Sequence, residues 1–172
     1  GQSFSAYIHK RPQPCTAKED AITPSLSDGW LAGDVVVGLP SNGVHANGLS
    51  LLRRLVRDAG LDYEAPAPFE PSMRLRQAIM QPTRIYVREV LPVLQRRPGL
   101  IKALAHITGG GLVANLQRVL PDSLDVQIDW QAWTLPPIFE WLRQRSGLEL
   151  EGGLSAVFNC GVGMCVVVGR DQ

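Results

Sequence analysis

The chain has 172 residues, of which 45% are hydrophobic and 19% charged, and its formal net charge is +1. A chain of this length buries roughly 70% of its unfolded surface, so one domain with a substantial core is expected. The near-neutral charge excludes a general electrostatic attraction to nucleic acid or anionic membranes. The longest apolar runs, such as 31–39 and 161–169, fall far short of the roughly 20 residues that span a bilayer. Nucleic-acid binding and membrane insertion are therefore not expected.

The first 30 residues are predicted to form an irregular arm, because they contain Pro12, Pro14 and Pro24 and no sustained hydrophobic period. Residues 31–172 are predicted to form the folded domain. Its first element is a valine-rich strand over 34–39, and such a continuous apolar run is typical of a strand buried on both faces.

Hydrophobic periodicity predicts the remaining elements in chain order. Helices are expected over 49–59, 81–95, 112–120 and 134–146, and strands over 101–107, 124–129 and 163–168. Thr134 is expected to cap the last helix and Gly147 to end it, whereas 61–72 is a proline-rich connection. About four strands and four helices indicate an α/β domain of packed layers.

Two segments share one design, in which a strand runs into a glycine-rich loop and then a helix. They are 40–48 and 108–111, and their free N–H groups would face the positive end of a helix dipole, which suits a phosphate or carboxylate. Neither segment fits the Walker pattern or the dinucleotide-binding fingerprint. A tight turn that needs a positive φ at glycine is the alternative interpretation.

Single residues give weaker signals. His45 lies between two loop glycines and is expected to be exposed and functional, whereas His106 is expected to be a partly buried, hydrogen-bonded histidine. The aromatic residues between 130 and 141 are expected to pack around the last helix. No spacing in the sequence predicts a catalytic triad, a carboxylate pair or a metal cluster.

Cys15, Cys160 and Cys165 match no zinc or redox spacing, so buried, reduced side chains are expected. This cysteine usage favours the cytoplasm. The chain begins at Gly1 rather than methionine, so an organelle reached after removal of a targeting segment is the alternative.

Several collinear motifs resemble one enzyme family. They are GDVVVGLPSNGVHANG at 33–48, QPTRIY at 81–86, AHITGGGL at 105–112, PPIFEWL at 136–142 and FNCGVGM at 158–164. Together they resemble the C-terminal domain of aminoimidazole ribonucleotide synthetase, also called phosphoribosylformylglycinamidine cyclo-ligase. The resemblance covers roughly residues 33–169.

The resemblance implies a fold and an activity. The fold would be a three-layer α/β (α+β) domain with a mixed sheet and partial ferredoxin-like topology, incomplete at its C-terminal end. Members of this family close the imidazole ring in purine biosynthesis with ATP. ATP and Mg²⁺ would be bound mainly by an N-terminal domain that this chain lacks, so the chain alone is expected to be inactive and to need that domain or a partner chain.

The resemblance also assigns site residues. Ser41, Gly43, His45 and Asn47 would line the active cleft, with His45 and Asn47 in catalytic roles. The phosphate or ribose side of a phosphorylated ribonucleotide substrate would be held by Thr108, Gly109, Gly110 and Gly111. Asn159 would shape the floor of the cleft.

The chain also departs from the family pattern. Asn42 and Ala46 stand where the family usually has serine, and Ala156 stands where it usually has arginine. These departures support a second hypothesis, a non-catalytic relative that serves as an accessory or interaction subunit of a larger assembly. An organelle is one of the two locations considered for that assembly. A stand-alone binder of a phosphorylated small molecule is a third hypothesis.

Overall fold

A computed structural model of the chain describes residues 5–10 and 29–171. In chain order, the described elements are β1 Ser5–Lys10, β2 Val35–Pro40, α1 Leu49–Asp58, β3 Pro66–Ala67, β4 Glu70–Arg74, α2 Leu75–Ile79, α3 Val87–Arg96, β5 Ile101–His106, α4 Gly111–Val119, β6 Leu124–Ile128, α5 Pro137–Ser146, α6 Ser155–Val157 and β7 Val162–Val168. A kinked segment, Leu150–Leu154, precedes α6.

Five of the strands form one sheet in the order β5-β7-β2-β1-β6. All of its neighbouring pairs are antiparallel, so the expectation of a mixed sheet was wrong in this detail. The two edge strands β5 and β6 are connected through α4, which contacts both of them. The α+β class is confirmed.

The sheet carries helices on both faces, as a three-layer domain requires. One face packs under α4 through Leu112 and Leu116, and the other packs under α3 through Tyr86 and Val90. A further apolar cluster joins α1, α2 and α5 to the β3–β4 hairpin. On β2, Val36 is fully buried but Val37 is 41% exposed, so this strand is not buried on both faces as expected.

The irregular arm expected over residues 1–30 is wrong at residues 5–10, because β1 pairs with both β2 and β6. Ala6 lies opposite Val36 on one side and Ile128 on the other, and both Ala6 and Ile8 belong to the core under α4. Two apolar residues in alternation are too short a pattern to predict a strand from sequence. The rest of the expected arm, residues 1–4 and 11–28, lies outside the described residues.

Two further boundaries differ from expectation. The expected proline-rich connection over 61–72 contains β3 and the start of β4, which form a short hairpin followed by α2. The hairpin and α2 supply Ala67 and Leu75 to the core. The helix expected from residue 81 begins only at Val87, and α5 begins after Pro136 rather than at Thr134. Gly147 ends α5 with a φ of 67°, as predicted.

Candidate functional site

Three loops meet at one edge of the sheet. The first glycine loop, 41–48, follows β2; the second glycine loop, 108–111, follows β5; and the Asn159 turn, 158–161, precedes β7. Because β7 is antiparallel to both β2 and β5, the start of β7 lies beside the ends of β2 and β5. All three loops therefore lie at the same end of these strands. The Ser41 amide donates to the Gly161 carbonyl at 2.9 Å, which joins the first glycine loop to the Asn159 turn.

The two glycine loops also approach each other. A Cβ placed on Gly109 would lie 3.9 Å from the Asn47 side-chain oxygen. The structure therefore brings together two groups of residues that the resemblance assigns to one site. They are Ser41, Gly43, His45 and Asn47 of the first loop, and Thr108, Gly109, Gly110 and Gly111 of the second.

Asn159 is 1% exposed and serves as a hydrogen-bonding centre. Its Oδ1 accepts from the Ser41 hydroxyl and from the Gly161 amide, both at 2.9 Å, and its Nδ2 donates to the Gly43 carbonyl at 2.8 Å. These bonds use both ends of its amide. Asn159 therefore lies beneath the first glycine loop and holds it in place, and so does the Ser41 hydroxyl.

Asn115 performs the same task for the second glycine loop. From α4, its Nδ2 donates to the carbonyls of Gly109 at 3.3 Å and Gly111 at 2.7 Å, and its Oδ1 accepts from the Thr108 hydroxyl at 3.2 Å. It is 5% exposed. Sequence reasoning did not assign Asn115 to the site, although Asn115-Leu116 is one of the motifs that resemble the family. The further signal was one amide at a buried position of an otherwise apolar helix face.

Within the second loop, the glycines have different surroundings. Gly111 has a φ of 67° and is buried so tightly that an added Cβ would lie 1.6 Å from the Ser155 carbonyl oxygen. Gly109 and Gly110 are exposed at the start of the nine-residue helix α4. The Arg118 guanidinium lies 3.8 Å from the Cβ position of Gly110 and donates to Asn115 at 2.9 Å. The exposed part of the loop thus combines a helix N-terminus with a cation, which suits an anion.

His45 is 6% exposed, so the expectation of an exposed loop histidine was wrong. Its Nε2 accepts the backbone N–H of Asn42 at 3.1 Å and that of Arg84 at 3.4 Å. Burial, and then the charge of His106, lower the pKa of His45 below its ordinary value. The imidazole is therefore neutral at pH 7.

The segment between α2 and α3 contributes residues that sequence reasoning did not assign to the site. The Tyr86 hydroxyl and an Arg84 guanidinium nitrogen donate to the Pro40 carbonyl at 2.9 Å and 3.2 Å. The Tyr86 ring lies near both His45 and His106, with centroids 6.5 and 6.4 Å away. His106 is exposed rather than partly buried as expected, because it is the last residue of β5.

A small cavity of about 160 Å³ lies beside the first glycine loop. Asn42 and Gly43 line one side, and Phe69, Gln81 and Ile138 are among the residues that line the rest. Gly43 is thus the one residue of the assigned set that contributes to this cavity.

The aromatic residues mostly form packing contacts. Phe139 and Trp141 belong to the cluster around α5, as expected. Trp130 and Trp133 instead pack against the core under α4, and the Trp133 indole donates to the Cys160 carbonyl at 3.0 Å.

Cys160 and Cys165 are buried free thiols, which confirms the expectation for these two. Burial raises the pKa of Cys160 to about 12 and also raises that of Cys165. Cys15 lies outside the described residues. Over residues 5–10 and 29–171, no group of three histidine, cysteine or acidic residues could hold a metal ion, and no helix is long and apolar enough to cross a membrane.

A comparison with protein families decides the relationship. The family described as AIR synthase related protein, C-terminal domain, matches residues 32–172. The chain belongs to this family. The match covers the two glycine loops, the Asn159 turn and α3 to β7, whereas β1 lies before its first residue. The family match thus begins just before β2, and β1 adds a strand to the sheet from residues outside the match.

Proposed function

We propose that the chain is the substrate-binding half of a phosphoribosylformylglycinamidine cyclo-ligase, which closes the imidazole ring in purine biosynthesis. The observation that carries the proposal is the convergence of Asn47 and Gly109, one from each glycine loop, in a domain of the AIR synthase related family. A substrate with a phosphate at one end and a reacting amide at the other would lie across both loops.

The phosphate end is proposed to bind at Gly109 and Gly110. Both glycines are exposed, both precede the first turn of α4, and Arg118 lies next to Gly110. Backbone N–H groups and a guanidinium are the usual ligands of a phosphate. In this arrangement Thr108 and Gly111 shape the loop rather than contact the ligand, because Thr108 bonds Asn115 and Gly111 packs on Ser155.

ATP and Mg²⁺ are proposed to bind mainly to an N-terminal domain. Among the described residues, no group of three histidine, cysteine or acidic side chains could hold the metal by itself. In the family reaction, ATP activates the formyl amide oxygen, an amine attacks that carbon, and ADP and phosphate leave. The role proposed for this chain is to hold the substrate in place and keep the reacting groups oriented. Catalytic contact by Asn47 stays a prediction.

The experiment combines the chain with an N-terminal AIR synthetase domain and measures ATP-dependent ring closure. We expect turnover from the combination and none from the chain alone. Arg118→Gln should raise the KM for the ribonucleotide about tenfold, whereas Arg145→Gln, an equal charge change on α5, should leave it unchanged. Absence of turnover in every combination would overturn the cyclo-ligase proposal.

An accessory or interaction subunit is the second candidate. It is supported by the exposure of Met80, Ile85 and Val87, which are 67%, 73% and 61% exposed before and at the start of α3. The Asn42 side-chain amide, which stands where the family usually has serine, donates to the Pro82 carbonyl at 3.4 Å. This departure from the family pattern therefore makes a contact within the protein itself. This candidate predicts a stable assembly with fixed partners in the source cells, in the cytoplasm or in an organelle. Phosphate binding without partners and without turnover would favour the stand-alone binder.

A further inference from the structure

We propose that His45 is a positioning residue, whose neutral imidazole connects the first glycine loop to the segment 81–86 and does not exchange protons with a substrate. The proposal deepens the proposed function and rests on it for the kinetic part of its test. Its structural part can be tested on the chain alone.

The hydrogen bonds of His45 define its protonation. Nε2 accepts two backbone N–H groups, from Asn42 within the loop and from Arg84, which is 39 residues away in sequence. A nitrogen that accepts these bonds carries no proton, so the proton of the neutral ring is on Nδ1. Nε2 is therefore occupied by the protein backbone and is not available to a reacting group.

The other ring nitrogen is also closed to a ligand. Nδ1 is buried and has no hydrogen-bond partner among the described residues. His45 has a φ of 56°, one of two non-glycine residues with positive φ in the described chain. Such a strained backbone persists only where the surrounding structure imposes it. The unpartnered Nδ1 and the positive φ both cost free energy. Their presence at His45 indicates that the two hydrogen bonds at Nε2 are important for holding the site together.

β7 forms the surface against which the imidazole rests. A Cβ on Gly163 would lie 2.6 Å from His45 Cε1 and 1.9 Å from the Tyr86 hydroxyl oxygen. Only glycine leaves room for both rings. Tyr86 in turn donates to Pro40, so the segment 81–86 holds the backbone on both sides of Ser41, at Pro40 through Tyr86 and at Asn42 through His45.

Burial, and then the charge of His106, keep the His45 ring neutral. The His106 ring of β5 lies 6.4 Å from the Tyr86 ring between centroids, and Arg84 lies over the Tyr86 ring and is paired with Glu89 of α3 at 3.0 Å. Burial and His106 both lower the pKa of His45. Protonation in acid would remove the acceptor and separate the loop from the segment 81–86.

The first test uses the chain alone. Long-range ¹H–¹⁵N correlation at pH 7 should show the neutral Nδ1–H tautomer of His45; an Nε2–H tautomer would overturn the proposal. In His45→Gln the amide oxygen can accept the same two N–H groups, whereas in His45→Asn it is too short to reach them. Hydrogen exchange at the amides of Asn42 and Arg84 should be at least tenfold faster in His45→Asn and near the wild-type rate in His45→Gln. The Ala59 amide, bonded to the Leu55 carbonyl at the opposite end of α1, is the internal control.

The second test uses the chain combined with an N-terminal AIR synthetase domain. A positioning role predicts kcat within about threefold of wild type for His45→Gln and a loss of at least tenfold for His45→Asn. Protonation of His45 should also make kcat of the wild type decline in acid, and His45→Gln should remove this decline. If both variants lose kcat equally and keep normal amide exchange, His45 acts chemically and the proposal is wrong. If the exchange results hold but the wild type shows no ring closure, the positioning role is supported and the cyclo-ligase proposal fails.

Discussion

The Ser41 hydroxyl donates a hydrogen bond to Asn159 Oδ1 at 2.9 Å, although 118 residues separate the two in sequence. This bond joins the loop after β2 to the turn before β7, and the same Oδ1 also accepts from the Gly161 amide. The first glycine loop therefore takes its shape from a buried amide on another part of the chain. A loop held in this way is pre-organised before any ligand arrives.

Replacement of Asn159 by alanine should reduce the free energy of unfolding by about 2–3 kcal/mol, because it leaves the Gly43 carbonyl and the Gly161 amide without their partner. Ser41→Ala removes only one of these bonds and should cost about 1 kcal/mol. Urea denaturation of both variants measures the difference. Equal losses would show that Ser41, rather than the buried amide, organises the loop.

Removal of the Ile8 side chain tests whether β1 belongs to the folded domain. Ile8 is 2% exposed in the core under α4, so Ile8→Ala should reduce the free energy of unfolding by about 2–5 kcal/mol. The exposed residue Gln127 of the neighbouring strand β6 provides the control, and Gln127→Ala should cost less than about 1 kcal/mol. Thermal and urea unfolding of the two variants provide the measurement. If both changes have the same small effect, β1 does not contribute to the sheet in solution.

Two alanine substitutions in the second glycine loop should have very different effects on the free energy of unfolding. Gly111→Ala places a methyl group 1.6 Å from the Ser155 carbonyl oxygen at a φ of 67°, and should destabilise the domain by more than about 3 kcal/mol. At Gly109 the nearest atom is 3.9 Å away and φ lies outside the left-handed region, so Gly109→Ala should stay within about 0.5 kcal/mol of wild type. Circular dichroism during denaturation distinguishes them. A stable Gly111→Ala variant would contradict the close approach of α4 and α6.

Tyr86 should make the domain sensitive to alkali. Burial raises the pKa of Tyr86 to about 12, whereas an unfolded tyrosine ionises near 10. The unfolded state therefore loses its proton first, and the free energy of unfolding should fall by up to about 2 kcal/mol as the pH rises from about 10 through about 12. The measurement is urea denaturation at pH 9, 10 and 11, with Tyr86→Phe as the reference for other titrating groups. The wild type should lose more stability than the variant over this range; parallel losses would mean that Tyr86 ionises normally in the fold.

Hydrophobic periodicity predicted β5, α4, β6, α5 and β7 to within about two residues at most of their ends. It failed for β1, which has only two apolar residues in alternation, and for the β3–β4 hairpin, in which β3 has two residues. The stability of these strands comes from partners elsewhere in the sheet or hairpin. It also failed at the start of α3. There, residues 84–86 bond Pro40 and His45 instead of forming the first helical turn.

Sequence alone determined the family, the fold class and the two glycine loops, because these depend on local spacing, periodicity and collinear motifs. Only the tertiary structure decided how the site is held together. The roles of Asn115 and Tyr86, and the bonds by which Asn159 holds the first glycine loop, become recognisable once the chain has brought distant backbone groups within hydrogen-bonding distance. The burial of His45 was decided in the same way, since whether an imidazole is open to solvent depends on what packs over it, here Tyr86 and the backbone of Gly163.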